Sequence, residues 1–369
     1  MPERLLIDGL TGDPGRILIV DDLIEALDQP APAGVPVLHA DGLRAAPGFI
    51  ELQVNGIEDA DFTADPSSIA RGAALLPRHG VTSFLPTIVT SPRGTVEHAL
   101  TVLARDPEGA APLGLHVEGP FLSPHRLGVH DPGSRRDPDL GEIGDWLAGG
   151  TRMITLAPEL PEGMEAVDAI VKGGGIAAIG HTDADAETTR MAVAAGARYA
   201  THLFNAMSPL HHRAPGPVGA LLADERITLG LIADGVHVDP LVIGLVARAA
   251  GGRVSLVSDG VATRLGGRAL SPGTGGARTD DGTLAGGVAG LDHAVRTFAA
   301  IAGRHAAIEA VTATPARLLR LDDGRGTLRV DGRADIVLLT DDLEVAATIV
   351  AGRIAFRSPA AAAPGRAQG

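Results

Sequence analysis

Between residues 48 and 325, short apolar runs alternate with longer stretches rich in alanine and leucine. Strand-length apolar runs set against helix-length ones are the pattern of βα units feeding a parallel sheet. The runs at 48–52, 81–85, 112–117, 153–156, 176–179, 199–202, 228–232 and 254–257 are the strand candidates. About eight such units in this span fit a closed (β/α)8 barrel, a TIM-like α/β fold. Outside it the texture changes. Residues 1–47 hold short runs such as 16–20 and 35–38 broken by Gly, Pro and Asp, and 326–339 and 347–356 repeat that texture, as small antiparallel strands do. The expected organisation is therefore a barrel over 48–325 and a smaller β domain from 1–47 and 326–369, with 358–369 a frayed tail.

Polar residues then fall in an informative place. GLHVEGP, AIGHTDAD, YATHLFNAM, LIADGVH and SLVSDG each put His, Glu or Asp directly after an apolar run. These are C-terminal strand ends, which in a barrel converge on one face, where catalytic side chains from different strands meet.

Composition narrows the chemistry available there. The chain has 369 residues and no cysteine, so a metal must be held by nitrogen and oxygen and a thiol nucleophile is excluded. A net charge of −14 disfavours nucleic acid or an anionic membrane as partner, and an anionic small substrate needs a locally basic pocket. The opening MPERLLIDG has no signal-peptide pattern, and no apolar stretch reaches the roughly 18 residues of a membrane span, so the expected location is cytoplasmic.

Glu118, His181 and His202 are separated by 63 and 21 residues and so lie on different strands. Each alone reads as an ordinary buried or surface residue. Together at strand ends, one carboxylate and two imidazoles suit Zn²⁺ or Fe²⁺ and leave a coordination position open for catalysis. Asp259 follows another apolar run. It either caps a helix or serves as the carboxylate that takes a proton from the attacking water and returns it to the leaving nitrogen. His237 is a candidate donor to the carbonyl oxygen.

The ordered motifs PGFIELQVNG at 47–56, HVEGPFLSPHRLGVH at 116–130, GHTDAD at 180–185, THLFNAMSPLHHRAPGPVGALL at 201–222, ADGVHVD at 233–239, SDG at 258–260, GTLAGG at 282–287 and TATPARLL at 312–319 cover most of the chain. This set resembles the N-acetylglucosamine-6-phosphate deacetylases of the amidohydrolase superfamily. The resemblance implies a metal-dependent hydrolase barrel with a small β-sandwich formed from both chain ends. It also implies cleavage of N-acetylglucosamine 6-phosphate to glucosamine 6-phosphate and acetate. By the same resemblance Glu118, His181 and His202 are metal ligands, Asp259 the acid/base and His237 a substrate and carbonyl contact. His130, Asn205, Ala206, Arg213, Leu284, Ala285, Gly286 and Gly287 become substrate contacts. Arg213 is expected to reach the site of a neighbouring subunit and hold phosphate there, which implies a homodimer; His211 and His212 either add charge or are plain loop residues.

One departure bears on the metal. Many amidohydrolases carry His-x-His after the first strand, where Gln53 and Asn55 stand here. Neutral amides are poor ligands for a transition metal. The expectation is one divalent ion per subunit, zinc first and iron, cobalt or manganese as alternatives, with Gln53 and Asn55 nearby. Competing readings are a deacetylase of N-acetylgalactosamine 6-phosphate, or a non-catalytic relative that binds sugar phosphates. A dihydroorotase-like enzyme fits less well, because the only lysine, Lys172, lies at no strand end.

Overall fold

The computed structural model describes residues 3–30, 32–103, 108–273 and 276–359. Its centre is a ring of eight parallel strands: β1 (Phe49–Val54), β2 (Val81–Val89), β3 (Leu115–Glu118), β4 (Thr151–Leu156), β5 (Ile176–Ile179), β6 (Tyr199–Ala200), β7 (Thr228–Ile232) and β8 (Val254–Val257). They pair in that order. The ring closes where Asp259 N–H, just past β8, donates to Gln53 O of β1 at 3.0 Å. The nearly continuous burial of β1, β2, β3 and β8 follows from cover on both faces, interior side chains within and helices without.

Helices follow the strands in sequence, among them Leu140–Gly149 before β4 and Pro240–Ala250 before β8. The first of these is marked by its ends. Asp139 accepts from the N–H of Gly141 and Glu142, and Gly150 takes φ 112° to close the helix. Inside the ring Tyr199 lies so close to Gly230 that any side chain there collides with its hydroxyl. Ile50, Leu52, Leu85, Met153, Ile232 and Val257 fill the interior with it. His116 is buried among them, its Nε2 2.7 Å from Thr155 Oγ1.

The chain ends form two antiparallel-rich sheets. One joins Leu23–Leu27, Arg16–Val20, Arg4–Asp8 and Val37–His39; the other joins Arg353–Arg357, Val345–Val350, Ile336–Leu339 and Arg44–Pro47. Ile7, Ile17, Ile19 and Ile24 of the first pack with Ile336, Leu338, Ala347 and Ile349 of the second in one core. Two sheets from the two ends, facing across an apolar layer, make the small sandwich expected beside the barrel.

Several details differ from the sequence reading. β2 runs four residues past the expected end at Leu85, and β6 stops at Ala200, leaving His202 in the turn beyond it. After β8 the chain inserts a short hairpin, Arg264–Leu265 with Arg268–Ala269, and a three-stranded antiparallel sheet, Ser271–Gly273, Gly276–Arg278 and Leu284–Gly286, which the strand-and-helix alternation does not foresee. Most of the tail expected to be frayed, 360–369, lies outside the described residues. No helix among the described residues is long and apolar enough to cross a membrane.

Candidate metal centre and active site

The C-terminal ends of the strands open into a pocket of about 370 Å³, lined among others by Asn55, Glu118, His130, His181, His202, Asn205, Ala206, His237, Asp259 and Leu284 to Gly286. Its floor is the strand-end cluster. Glu118 Oε1 lies 2.9 Å from His202 Nε2 and 3.4 Å from His181 Nε2, and the two imidazole nitrogens are 3.1 Å apart. The edge of a tetrahedral site with ligands at ~2.05 Å is ~3.3 Å, so the three atoms have the spacing of three corners around one ion. His181 Nδ1 donates to the carbonyl of Arg126 at 2.8 Å, which leaves its Nε2 lone pair facing the cluster. Two Nε2 atoms this close repel each other unless a cation or proton lies between them.

Backbone conformation aims these groups. His181, His202 and Asp259 all have left-handed backbones, with φ of 48°, 27° and 46°. Each costs about 1–3 kcal/mol for a non-glycine residue and persists where the surroundings impose it. Here the imposed turn at the strand end points the side chain across the barrel mouth.

Gln53 and Asn55 are placed near the cluster as expected, in a role that the sequence does not show. Gln53 Nε2 donates to Glu118 Oε1 at 2.9 Å and to Asp259 Oδ1 at 3.0 Å; Asn55 Nδ2 donates to the same Asp259 oxygen at 2.8 Å. The amides therefore fix two carboxylates through one oxygen each, and among the described residues none donates to Asp259 Oδ2. Burial, then the charge of Glu118, pushes the Asp259 carboxyl up to about 6. Glu118 goes the other way: burial works to raise it, but the hydrogen bonds from His181 and His202 hold it well below the usual carboxylate range.

His237 is oriented by Asp234, whose Oδ2 lies 2.7 Å from Nδ1. His130 accepts the Thr90 N–H at Nδ1, 3.3 Å away, so its proton sits on Nε2, and burial followed by the charge of His181 lowers its pKa to about 3. It is thus a neutral N–H donor. Asn205 and Ala206 line the pocket wall, and the inserted strand Leu284–Gly286 forms part of its mouth.

Two expected contacts are not in this pocket. Gly287 lies behind it, its N–H donating to Asp259 O at 2.9 Å. Arg213 is exposed on the loop with His211 and His212 and is absent from the lining of its own chain's pocket. Residues that the sequence reading does not single out also appear: His125 and Arg126, the latter paired with Asp183, line the mouth, and Asp234 and Thr90 orient the two histidines. Asp234 carries a readable signal, since Asp-x-x-His in ADGVH is the spacing of a turn that bonds its own histidine.

A closed α/β barrel with a His–His–Glu cluster and a carboxylate at one mouth defines the class of metal-dependent hydrolases. The model of the amidohydrolase family matches residues 45–355. The chain is 38% identical to the human N-acetylglucosamine-6-phosphate deacetylase, covering 97% of this chain and 94% of that protein. It is 34% identical to an N-acetylgalactosamine-6-phosphate deacetylase of Escherichia coli O157:H7, with 95% and 97% covered. Its fold matches a mutant of the Mycobacterium smegmatis N-acetyl-D-glucosamine-6-phosphate deacetylase, solved in complex with N-acetyl-D-glucosamine 6-phosphate, at a TM-score of 0.87 and 34% identity over 96% of this chain and 99% of that one. The chain belongs to the amidohydrolase family and, within it, to the N-acetylglucosamine-6-phosphate deacetylases.

Proposed function

We propose that the chain hydrolyses the acetamide of N-acetylglucosamine 6-phosphate, giving glucosamine 6-phosphate and acetate. The observation that carries the mechanism is the pairing of a three-atom ligand cluster with a carboxylate held at one oxygen and free at the other. Glu118, His181 and His202 would hold one divalent ion, zinc being the best match to two imidazoles and one carboxylate. Such an ion supplies Lewis acidity, acidifying a water and polarising the carbonyl. Asp259 Oδ2 takes the proton of the attacking water and later delivers it to the nitrogen as the C–N bond breaks. Asp234 Oδ2 holds the ring of His237 through Nδ1, and the ring's other nitrogen, Nε2, is the contact to the carbonyl oxygen as charge develops on it.

His130, Asn205, Ala206 and the Leu284 to Gly286 segment position the sugar. Gly287 acts from behind, through the Asp259 backbone. Arg213 serves the pocket of a second subunit, which its exposure outside its own pocket supports; its guanidinium suits phosphate bidentately. Single-ion loading is supported by Gln53 and Asn55, whose amide nitrogens face the carboxylates as donors and offer no ligand there. The similarity to the galactosamine-specific relative favours one second reading, preference for the C4 epimer.

Acetate release from the two N-acetylated sugar phosphates, measured on protein of known metal content, tests this. Turnover of neither with one ion bound per chain overturns the assignment, and two ions per chain overturn the single-metal reading. The oligomer follows from light scattering.

A further inference from the structure

The opposite end of the barrel carries a second pocket of about 440 Å³ whose lining includes six arginines: Arg152, Arg198, Arg226, Arg253, Arg317 and Arg320. They come from separate elements. Arg152 is the second residue of β4, Arg198 and Arg253 immediately precede β6 and β8, Arg226 lies just before β7, Arg317 is in the last turn of the helix Ala313–Leu319 and Arg320 caps it. Only the folded barrel brings these strand starts together.

Backbone carbonyls hold three of the guanidiniums in place without neutralising them. Arg253 donates to the carbonyls of Asp224, Ile227 and Leu222, Arg198 to Val193 and Ala197, and Arg152 to Leu319. Arg317 lies 3.5 Å from the Gly252 carbonyl. Among the described residues, Arg226 is the one of the six with a carboxylate partner, Asp224 at 2.7 Å, and Glu225 is the sole acidic residue in the lining. Burial lowers the Arg253 pKa more than Glu225 and Asp224 raise it, so its charge is under-compensated where it stands. A surplus of about four positive charges around one pocket, in a chain of net charge −14, favours an anion with several negative oxygens over a single carboxylate.

We infer that this pocket at the N-terminal end of the barrel is a binding site for a small polyphosphate anion, distinct from the deacetylation site. The shared chemistry is a phosphate chain, free or carried by a nucleotide. A guanidinium fork takes two phosphate oxygens at once, and several forks set around one pocket take successive phosphates.

The test is calorimetric titration of the full-length chain with sodium tripolyphosphate and, separately, with ATP, alongside melting temperatures. Arg213→Ala serves as the control that removes the phosphate contact proposed for the active site. The expected result is one tripolyphosphate per chain, binding retained in Arg213→Ala, and roughly tenfold or greater weakening in the combined Arg152→Gln, Arg317→Gln, Arg320→Gln variant. These three side chains are exposed, and unchanged deacetylation in that variant shows that it is folded; the single Arg320→Glu reversal provides a milder second probe, expected to weaken binding as well. ATP binding as tightly as tripolyphosphate assigns the site to the phosphate chain alone, and tighter ATP binding assigns it to a nucleotide; both uphold it. Failure of both ligands to bind the Arg213→Ala protein, or undiminished binding in the arginine variants, overturns the inference.

Discussion

Gln53→Leu is the most direct probe of how the site is organised. The side chain is fully buried, and among the described residues its amide nitrogen is the only side-chain group that hydrogen-bonds both Glu118 and Asp259, at 2.9 and 3.0 Å. A hydrogen bond to a buried charge contributes about 1.5–3 kcal/mol, so leucine removes ~3–6 kcal/mol of local interaction while leaving both carboxylates in place. Asp259 keeps Asn55 as its remaining side-chain donor and is free to rotate. A displacement of about 1 Å in a reacting group lowers the rate roughly 100-fold, and that is the loss expected in kcat, with KM changed by less than about threefold. The pH profile provides a second readout. Asp259 must be ionised to accept a proton, so activity falls as pH drops through its pKa, which sits at about 6 from burial and the Glu118 charge and lower once a cation faces it. Removing a donor to the ionised form raises that pKa, and the acid limb of kcat/KM moves up by about one pH unit. The assay is steady-state acetate release across the range from mildly acidic to mildly alkaline pH, with metal content measured on the same protein. A kcat within about twofold of wild type, an unmoved acid limb and intact metal refute the bridging role.

Asp259→Asn should retain its metal and lose about 10²- to 10⁴-fold or more in kcat, since the proton acceptor is gone; near-normal turnover refutes that role. Arg213→Ala should raise KM for the phosphorylated sugar by about tenfold and leave the unphosphorylated one nearly unchanged, whereas equal losses on both mark a structural arginine. Glu51 is buried beneath the site, and burial pushes its carboxyl up to about 8 from an ordinary 4.5. Between those values the folded chain keeps a proton that the unfolded chain has released, so stability falls as pH rises through that window. Glu51→Gln abolishes the titration and keeps an acceptor for Ser258 N–H, so its melting temperature should decline less across the same window; parallel curves for the two proteins count against the buried charge. Chelation should abolish turnover and lower the melting temperature, because ions bound only by the folded state stabilise it; unchanged activity after complete stripping argues against the metal chemistry.

The ligand cluster is legible in the sequence because its signal is local. Glu118, His181 and His202 each follow an apolar run, and a parallel barrel allows only one face for such ends to meet. The amide pair at Gln53 and Asn55 is legible as a departure in residue type, but not as a bridge, because the partners of Gln53 lie 65 and 206 residues away. Asp234 beside His237 is readable from spacing, although its link to the site shows only once the pocket is formed. Gly287 departs from the expected contact for a physical reason: its motif is contiguous with Leu284 to Gly286, yet the chain turns away and Gly287 meets the Asp259 backbone.

What sequence alone determined, then, was whatever repeats with a local period or sits at a fixed offset from an apolar run: eight strands, the sandwich strands at both ends, a cysteine-free ligand set and a carboxylate at the last strand end. What only the tertiary structure decided was whatever depends on ring closure. Closing the ring places Gln53 between Glu118 and Asp259, brings His181 and His202 to the same mouth, and gathers six arginines at the far end. No local propensity encodes these, because each is a contact between residues far apart in the chain, held by packing that exists only once the barrel has closed.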